Sequence, residues 1–336
     1  MIQIHPDTVT SGNSGPACNN RRLRLHLLPD WFLFTLSPTL SRLSVLLLPL
    51  ILMGGCNPYN QDGYVEYPVV EAYLVAERDM PPIHLATTLP ADRQYSPETA
   101  AIRDAEVVVY RLDPEGEIIE PGIVYEMNES SPGLYLPLNH HIVQPGRSYR
   151  LEAVIPEHGV MRATTTIPAT FRVISPIPET VIYQSARQLE FTISANVNPG
   201  RQNIYIFNAI AREVSEHNLT PFYREVFDDD DNIQDFQKNP SNLINEANFD
   251  KNPDGSIDLR FPWIGVAFFG KNQIVTNSID PNITDFLRSQ DVQLGGSTLS
   301  PGEIPNAIYR VENGIGVFGG VASDTITTIF VRPEGF

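Results

Sequence analysis

Residues 147–168 read RSYRLEAVIPEHGVMRATTTIP. Tyr149, Leu151, Ala153 and Ile155 alternate with Arg150, Glu152 and Val154. Side chains of a strand point alternately to its two faces, so this is the pattern of a half-buried strand. Gly159–Thr166 reads the same way, with Pro156-Glu157-His158-Gly159 as a break between the two. Working back toward the N-terminus, Val69–Val75, Ile83–Leu89, Ala105–Leu112 and Leu134–Leu138 are further strand candidates. Turn formers separate them: Asp113-Pro114-Glu115-Gly116, Ser131-Pro132-Gly133 and Gln144-Pro145-Gly146. About seven short strands at regular spacing predict a β-sandwich of immunoglobulin or transthyretin type over residues 69–168.

Pro168, Pro176 and Pro178 crowd the next stretch, and proline resists both helix and central strand. A boundary is placed there, with a second β-rich domain over 169–336. Leu189, Phe191 and Ile193 alternate with Glu190 and Thr192. Asn203–Arg212 is apolar on both faces, which predicts a strand buried on both. Ala307–Val311 and Thr325–Val331 also read as strands. One short helix is expected after Asp280. That aspartate can cap it, Pro281 suits its first position, and Ile283, Phe286 and Leu287 share one face. The fold class is therefore mainly β: two sandwich-like domains, with one short helix in the second.

Composition agrees. Proline at 29 residues disfavours long helices. Of 40 acidic and 23 basic side chains, 38 and 19 lie from Cys56 onward, so that part carries a net charge of −19. A body this acidic repels a phosphate backbone, which disfavours nucleic acid as a partner. Anionic lipid is disfavoured as a direct docking surface for the same reason.

Leu43–Met53 reads LSVLLLPLILM, a stretch without charge that follows Arg42 and precedes Gly54-Gly55-Cys56. A positive flank, a short apolar run and a small-residue cleavage site make a secretory signal. The cysteine at the cut makes it a lipoprotein signal, with Cys56 as the lipidated residue, bearing palmitate-type acyl chains. The run is too short for a membrane span, which needs about 20 apolar residues. Residues 1–55 are thus read as signal peptide and N-terminal extension. Residues 56–68, which continue NPYNQDGYVEYP after the cysteine, are read as a tether. After cleavage before Cys56 only one of the two cysteines remains, which rules out a disulfide scaffold within the chain.

Several blocks in order carry a family resemblance. They are VVEAYLV (69–75), RDAEVVVYRLDPEG (103–116), SSPGLYLP (130–137), QPGRSYRLEAVIPEHGVMRATTTIP (144–168), DFLRSQDVQ (285–293) and YRVENGIGVFGG (309–320). With the lipoprotein-like start, the chain resembles the Bacteroidetes lipoprotein family called domain of unknown function 4249 over nearly all of 56–336. The resemblance implies an outer-membrane lipoprotein, periplasmic or surface-facing, acting beside a TonB-dependent receptor. It brings no catalytic residues. Read from its own residues, ENGIGVFGG is a tight bulged strand near a domain edge, where its glycines permit close approach.

The sharpest local motif is Asp250-Lys-Asn252-Pro-Asp254-Gly255-Ser-Ile257-Asp258. Asp250, Asn252, Asp254 and Asp258 stand where an EF-hand-type loop has oxygen ligands, with glycine sixth, so calcium is the one metal or cofactor considered. Phe261 occupies the twelfth position, where a bidentate glutamate belongs. The competing reading is a turn at Asp254-Gly255. Asp228–Asp231 reads as a solvated acidic loop, and His140-His141 as a surface pair that cannot easily share one metal. Trp263 with Phe261, Phe268 and Phe269 reads as core. Neither Gly-x-Ser-x-Gly nor His-Glu-x-x-His occurs. The expectation is a non-enzymatic binding or accessory protein, anchored to the membrane by lipid. A structural or adhesive envelope protein and an envelope hydrolase are the alternatives.

Overall fold

In the computed structural model residues 64–90, 92–228, 230–291 and 307–334 are described. Cys56 and the apolar run before it lie outside them. Seven strands precede Pro168: β1 (Pro68–Val75), β2 (Ile83–Thr87), β3 (Glu106–Leu112), β4 (Ile118–Met127), β5 (Leu134–Pro137), β6 (Ser148–Ile155) and β7 (Gly159–Thr166). Nine follow: β8 (Thr180–Ile182), β9 (Glu190–Ile193), β10 (Ile204–Ala211), β11 (Lys238–Pro240), β12 (Ile244–Asn245), β13 (Ile257–Arg260), β14 (Gly270–Ile279), β15 (Val311–Glu312) and β16 (Ile315–Val331). The α-helices are α1 (Pro97–Ala100), α2 (Pro221–Val226) and α3 (Pro281–Asp291).

The expected alternation is realised on β6, where Tyr149, Leu151, Ala153 and Ile155 are buried. Their partners across β3, Val107 and Val109, point to the same interior. The β3–β4 turn is the one read from Asp113 to Gly116. Gly116 takes φ +90°, and Asp113 Oδ1 accepts the Glu117 N–H at 2.8 Å. Strand β4 itself is not apparent in the sequence because Pro121 interrupts it. Proline is tolerated in sheets at bulges, and a bulge is where it sits. Val109 pairs with Ile123 and Arg111 with Ile119, so β4 spends two more residues than β3 over the same interval.

The main sheet runs β11-β10-β14-β16-β1-β2-β5-β4-β3-β6-β7-β15. Its far end returns to its middle. β15 pairs with β7, ends at Glu312, and the chain enters β16 at Ile315. A sheet whose edge returns to an inner strand must fold over on itself, which gives the sandwich. Strand β16 then serves both halves. Ile315–Val321 pairs in parallel with Val69–Val75 of β1. Val321–Phe330 pairs antiparallel with β14, and Ile329–Val331 pairs in parallel with β8.

This shared strand alters two sequence expectations. The proposed division at 168/169 does not separate two cores. One buried cluster takes Val70, Leu85 and Leu151 together with Phe191, Tyr205 and Phe330, and Glu66–Phe336 is one compact unit. The preceding unit, Met1–Val65, is described only at Tyr64 and Val65. The ENGIGVFGG segment opens a central strand rather than an edge one. Its glycines are needed for close approach, as expected. Gly316 has φ +109°, and a Cβ there would stand 2.1 Å from the Val70 carbonyl oxygen. A Cβ on Gly319 would stand 2.3 Å from Ile283 Cγ1, which is how α3 lies directly on β16.

The cap of α3 follows the sequence reading. Asp280 Oδ1 accepts the Ile283 N–H at 2.9 Å, Pro281 is the first helical residue, and Ile283 is buried. Asp280 is itself buried. Its Oδ2 accepts the Thr165 hydroxyl at 2.6 Å, a contact from the last turn of β7 across to the second half. The strand expected over Ala307–Val311 is reduced to Val311–Glu312. β10 is buried on both faces, with Tyr205 and Phe207 on one and Ile204 and Ile206 on the other.

Candidate functional site

The β4 bulge opens a cleft of about 320 Å³ at one end of the sandwich. Its apolar wall includes Ile119, Pro121 and Ile123. Arg111, Asn139, His140 and His141 supply polar groups, and Glu120 stands at the bulge. Bulges re-aim side chains and interrupt pairing, which is why they often border sites.

Arg111 is the unusual member. It continues the inward phase of β3 after Val107 and Val109, both fully buried, and it pairs with buried Tyr149 on β6. An apolar side chain would satisfy that position. The guanidinium is only partly exposed, and Nη1 donates to the neutral Gln144 side-chain oxygen at 3.2 Å. Four arginines meet carboxylates: Arg162 with Glu152, Arg172 with Glu77, Arg260 with Glu190 and Arg310 with Asp285. Others bond neutral oxygens, as Arg201 does the Ile279 carbonyl and Arg212 the Gln273 side chain. Among the described residues Arg111 has no such ion pair. Glu120, the acid beside it in the cleft, accepts the Gly122 N–H through Oε2 at 3.1 Å.

The histidines differ from each other, as adjacent residues should. His140 Nδ1 stands 2.6 Å from Asp79 Oδ1, and both side chains are exposed. His141 turns inward. Its Nε2 is 3.2 Å from the Tyr149 hydroxyl, which also accepts the Gln144 N–H at 2.9 Å. A hydroxyl can accept a second bond as well as donate its own proton, so either neutral tautomer of the ring suits this pair. Burial, then the positive charges of Arg111 and His140, push the His141 pKa below the ordinary histidine value, in keeping with a neutral ring.

The EF-hand-like segment is not assembled as a cation cage. Asp254 Oδ1 accepts both the backbone N–H and the hydroxyl of Ser256, at 3.0 and 2.6 Å. Those bonds hold its carboxyl below the usual range. Gly255 takes φ +81°, and Asn252 N–H donates to the Ser256 carbonyl. Asp258 Oδ1 accepts the Thr192 hydroxyl from the neighbouring strand. The structure brings Asn252, Asp254 and Asp258 together as a turn leading into β13. Asp250 makes none of those bonds. Among the described residues no group of three or more His, Cys, Asp or Glu stands ready to hold a metal ion. In the acidic run, Asp228 N–H donates to Asp231 Oδ2, a local turn.

The aromatic cluster is core. Phe261, Phe268 and Phe269 are buried, and Trp263 packs edge-on against Tyr183 and Phe330. A second polar cluster lies inside the second half. Asn203 Nδ2 donates to Glu246 Oε2 at 2.8 Å, and Lys251 Nζ stands 3.2 Å from the same oxygen. Arg201 Nη1 donates to the Ile279 carbonyl beside Asp280. These groups hold the 196–203 loop to β10 and β14, a structural task. Sequence reasoning singled out His140 and His141 but missed Arg111. The signal was available: a charge in the apolar phase of a strand.

Fold and cleft together define a mainly β protein in which one long strand joins two halves of a sandwich-like body. The chain belongs to the family described as Domain of unknown function (DUF4249), which matches residues 58–327. A search of curated proteins gives no match. Among solved structures, the chain is similar to three N-terminal domains of the highly immunogenic outer capsid protein of bacteriophage RB49. That match has 11% identity over 80% of this chain and 71% of the other, with a TM-score of 0.20. Murine CEACAM1b matches at 11% identity over 79% of this chain and 100% of its own, with a TM-score of 0.15. The CBD12 structure from CALX1.2 matches at 7% identity over 77% and 100%, with a TM-score of 0.16.

Proposed function

We propose that this protein is a lipid-anchored, non-enzymatic binding protein of the outer membrane, working as an accessory to a TonB-dependent transporter. The anchor reading rests on the charge-free Leu43–Met53 run followed by Gly54-Gly55-Cys56. Among the described residues no helix is long and apolar enough to cross a membrane.

The observation that carries the binding role is the cleft itself, with Arg111 and His141 in its lining. Strand β1 begins at Pro68. The cleft lies beyond the other end of that strand. Past Val75 the chain turns, and Glu77 N–H donates to the Val143 carbonyl and Met80 N–H to that of His141. Eight residues of strand separate the two ends, about 26 Å. The cleft thus lies at the end of β1 opposite Pro68.

Metabolic labelling with tritiated palmitate in the native cell tests the anchor. The wild-type chain should take up label and sediment with outer membrane, and Cys56→Ser should lose both. Co-isolation of a TonB-dependent receptor with the wild-type chain, retained after salt washing, tests the partnership. Unlabelled wild-type protein in the soluble fraction would end the proposal.

A further inference from the structure

The geometry points to the cleft at the β4 bulge as a binding site for a small carboxylate with an apolar body, received by Arg111. The inference deepens the binding role proposed above and rests on it. Three observations converge. The guanidinium occupies an inward strand position, partly withdrawn from water, where the chain could have placed an aliphatic residue. Burying a charge is costly unless an opposite charge or several hydrogen bonds meet it. Here one neutral amide meets it, in a body where carboxylates outnumber basic groups two to one from Cys56 onward.

The cleft also holds neutral polar groups. His141, whose Nε2 pairs with the Tyr149 hydroxyl, is one of them. Asn139 lines the same wall. Arginine's planar fork matches a carboxylate bidentately, and such charge-assisted pairs are the strong ones. Ile119 and Ile123 offer the remainder of a ligand an apolar surface. Glu120 sets the limit on charge. Its carboxylate shares the cleft and would repel a second anionic group, so a monocarboxylate is favoured over a dicarboxylate or a phosphate. A volume of about 320 Å³ suits a molecule of modest size.

The test is saturation-transfer NMR on the full chain in detergent, with 3-phenylpropionate as probe and 3-phenylpropionamide as its uncharged counterpart. The acid should bind and the amide bind at least about tenfold more weakly, as loss of a charged hydrogen-bonded pair implies. Arg111→Gln should weaken the acid by a similar factor. Arg93→Gln, an exposed arginine outside the cleft, should leave it unchanged. Thermal melting of each variant separates lost binding from lost folding. Should Arg111→Gln fail to fold, Arg111→Lys keeps the charge without the fork and should still weaken the acid. Equal binding of acid and amide, or no binding of the acid to the wild type, would overturn the site. Palmitate labelling is independent of it, so a failed cleft leaves the anchor standing.

Discussion

Replacing Asp280 by asparagine should change how stability responds to pH, and the structure sets both sign and size. The carboxyl is buried between β14, α3, β7 and β16. Desolvation raises its pKa from 3.8 to about 6. The Ile283 N–H, the Thr165 hydroxyl, the Gly320 N–H and the charge of Arg201 pull the other way and lose. A folded-state pKa above the unfolded value means that the folded chain holds a proton which the unfolded chain releases. Stability from this group is complete below about pH 4 and is lost as pH rises through about 6. Roughly two pKa units at about 1.4 kcal/mol each make the loss about 3 kcal/mol. Asparagine keeps the cap, because its Oδ1 can accept the Ile283 N–H, and its Nδ2 can donate to Thr165 Oγ1 in place of the present bond. It cannot ionise. Urea unfolding of both proteins at pH 4, 5, 6 and 7 gives the difference at each step, and titrations common to both cancel. Asp280→Asn should gain on the wild type by about 3 kcal/mol between pH 4 and 7. Parallel pH profiles, or a difference that moves toward the wild type as pH rises, would refute the reasoning.

Gly316→Ala should prevent stable folding, because its Cβ would stand 2.1 Å from the Val70 carbonyl oxygen at a φ of +109°. Circular dichroism melting of Gly316→Ala beside Gly200→Ala, whose positive-φ glycine has open space around it, separates collision from backbone strain. The first should lose far more stability than the second. Residues 66–168 expressed alone should not fold, because β1 loses its β16 neighbour and Val70 and Leu74 lose cover; a cooperative melt of that piece would contradict the shared strand.

What the sequence reveals here tracks the range of the interactions involved. The α3 cap is written in adjacent residues, Asp280-Pro281 with Ile283 three further on, and it appears where read. The β6–β7 hairpin is equally local, with its alternation and its turn inside one stretch of 22 residues. Strand β4 is hidden because Pro121 breaks the pattern, and only the partner strand shows that the break is a bulge. The role of β16 is hidden more deeply. Its pairing with β1 joins positions some 246 residues apart, Val69 with Ile315, and no local period encodes a partner at that distance. A proline-rich stretch at 168–178 looks like a linker when burial cannot be seen. Once Ile167, Phe171 and Val181 are known to be buried, it is a crossing between two parts of one core.

The same logic explains why the sequence offered Arg111 as a charge in the apolar phase of β3 but not the cleft around it. Arg111 reaches Gln144 across 33 residues, and it meets Tyr149, which bonds both Gln144 and His141, only when β6 lies beside β3. In sequence these are a surface-looking arginine and a histidine pair. In the fold they stand at the end of the sandwich opposite Pro68. An acidic body would keep small anions away by its long-range field, though at physiological salt that field fades within about 8 Å. Within that distance local charge decides. In the cleft lining Arg111 is the arginine, with Ile119, Ile123 and Glu120 around it, and among the described residues it makes no ion pair.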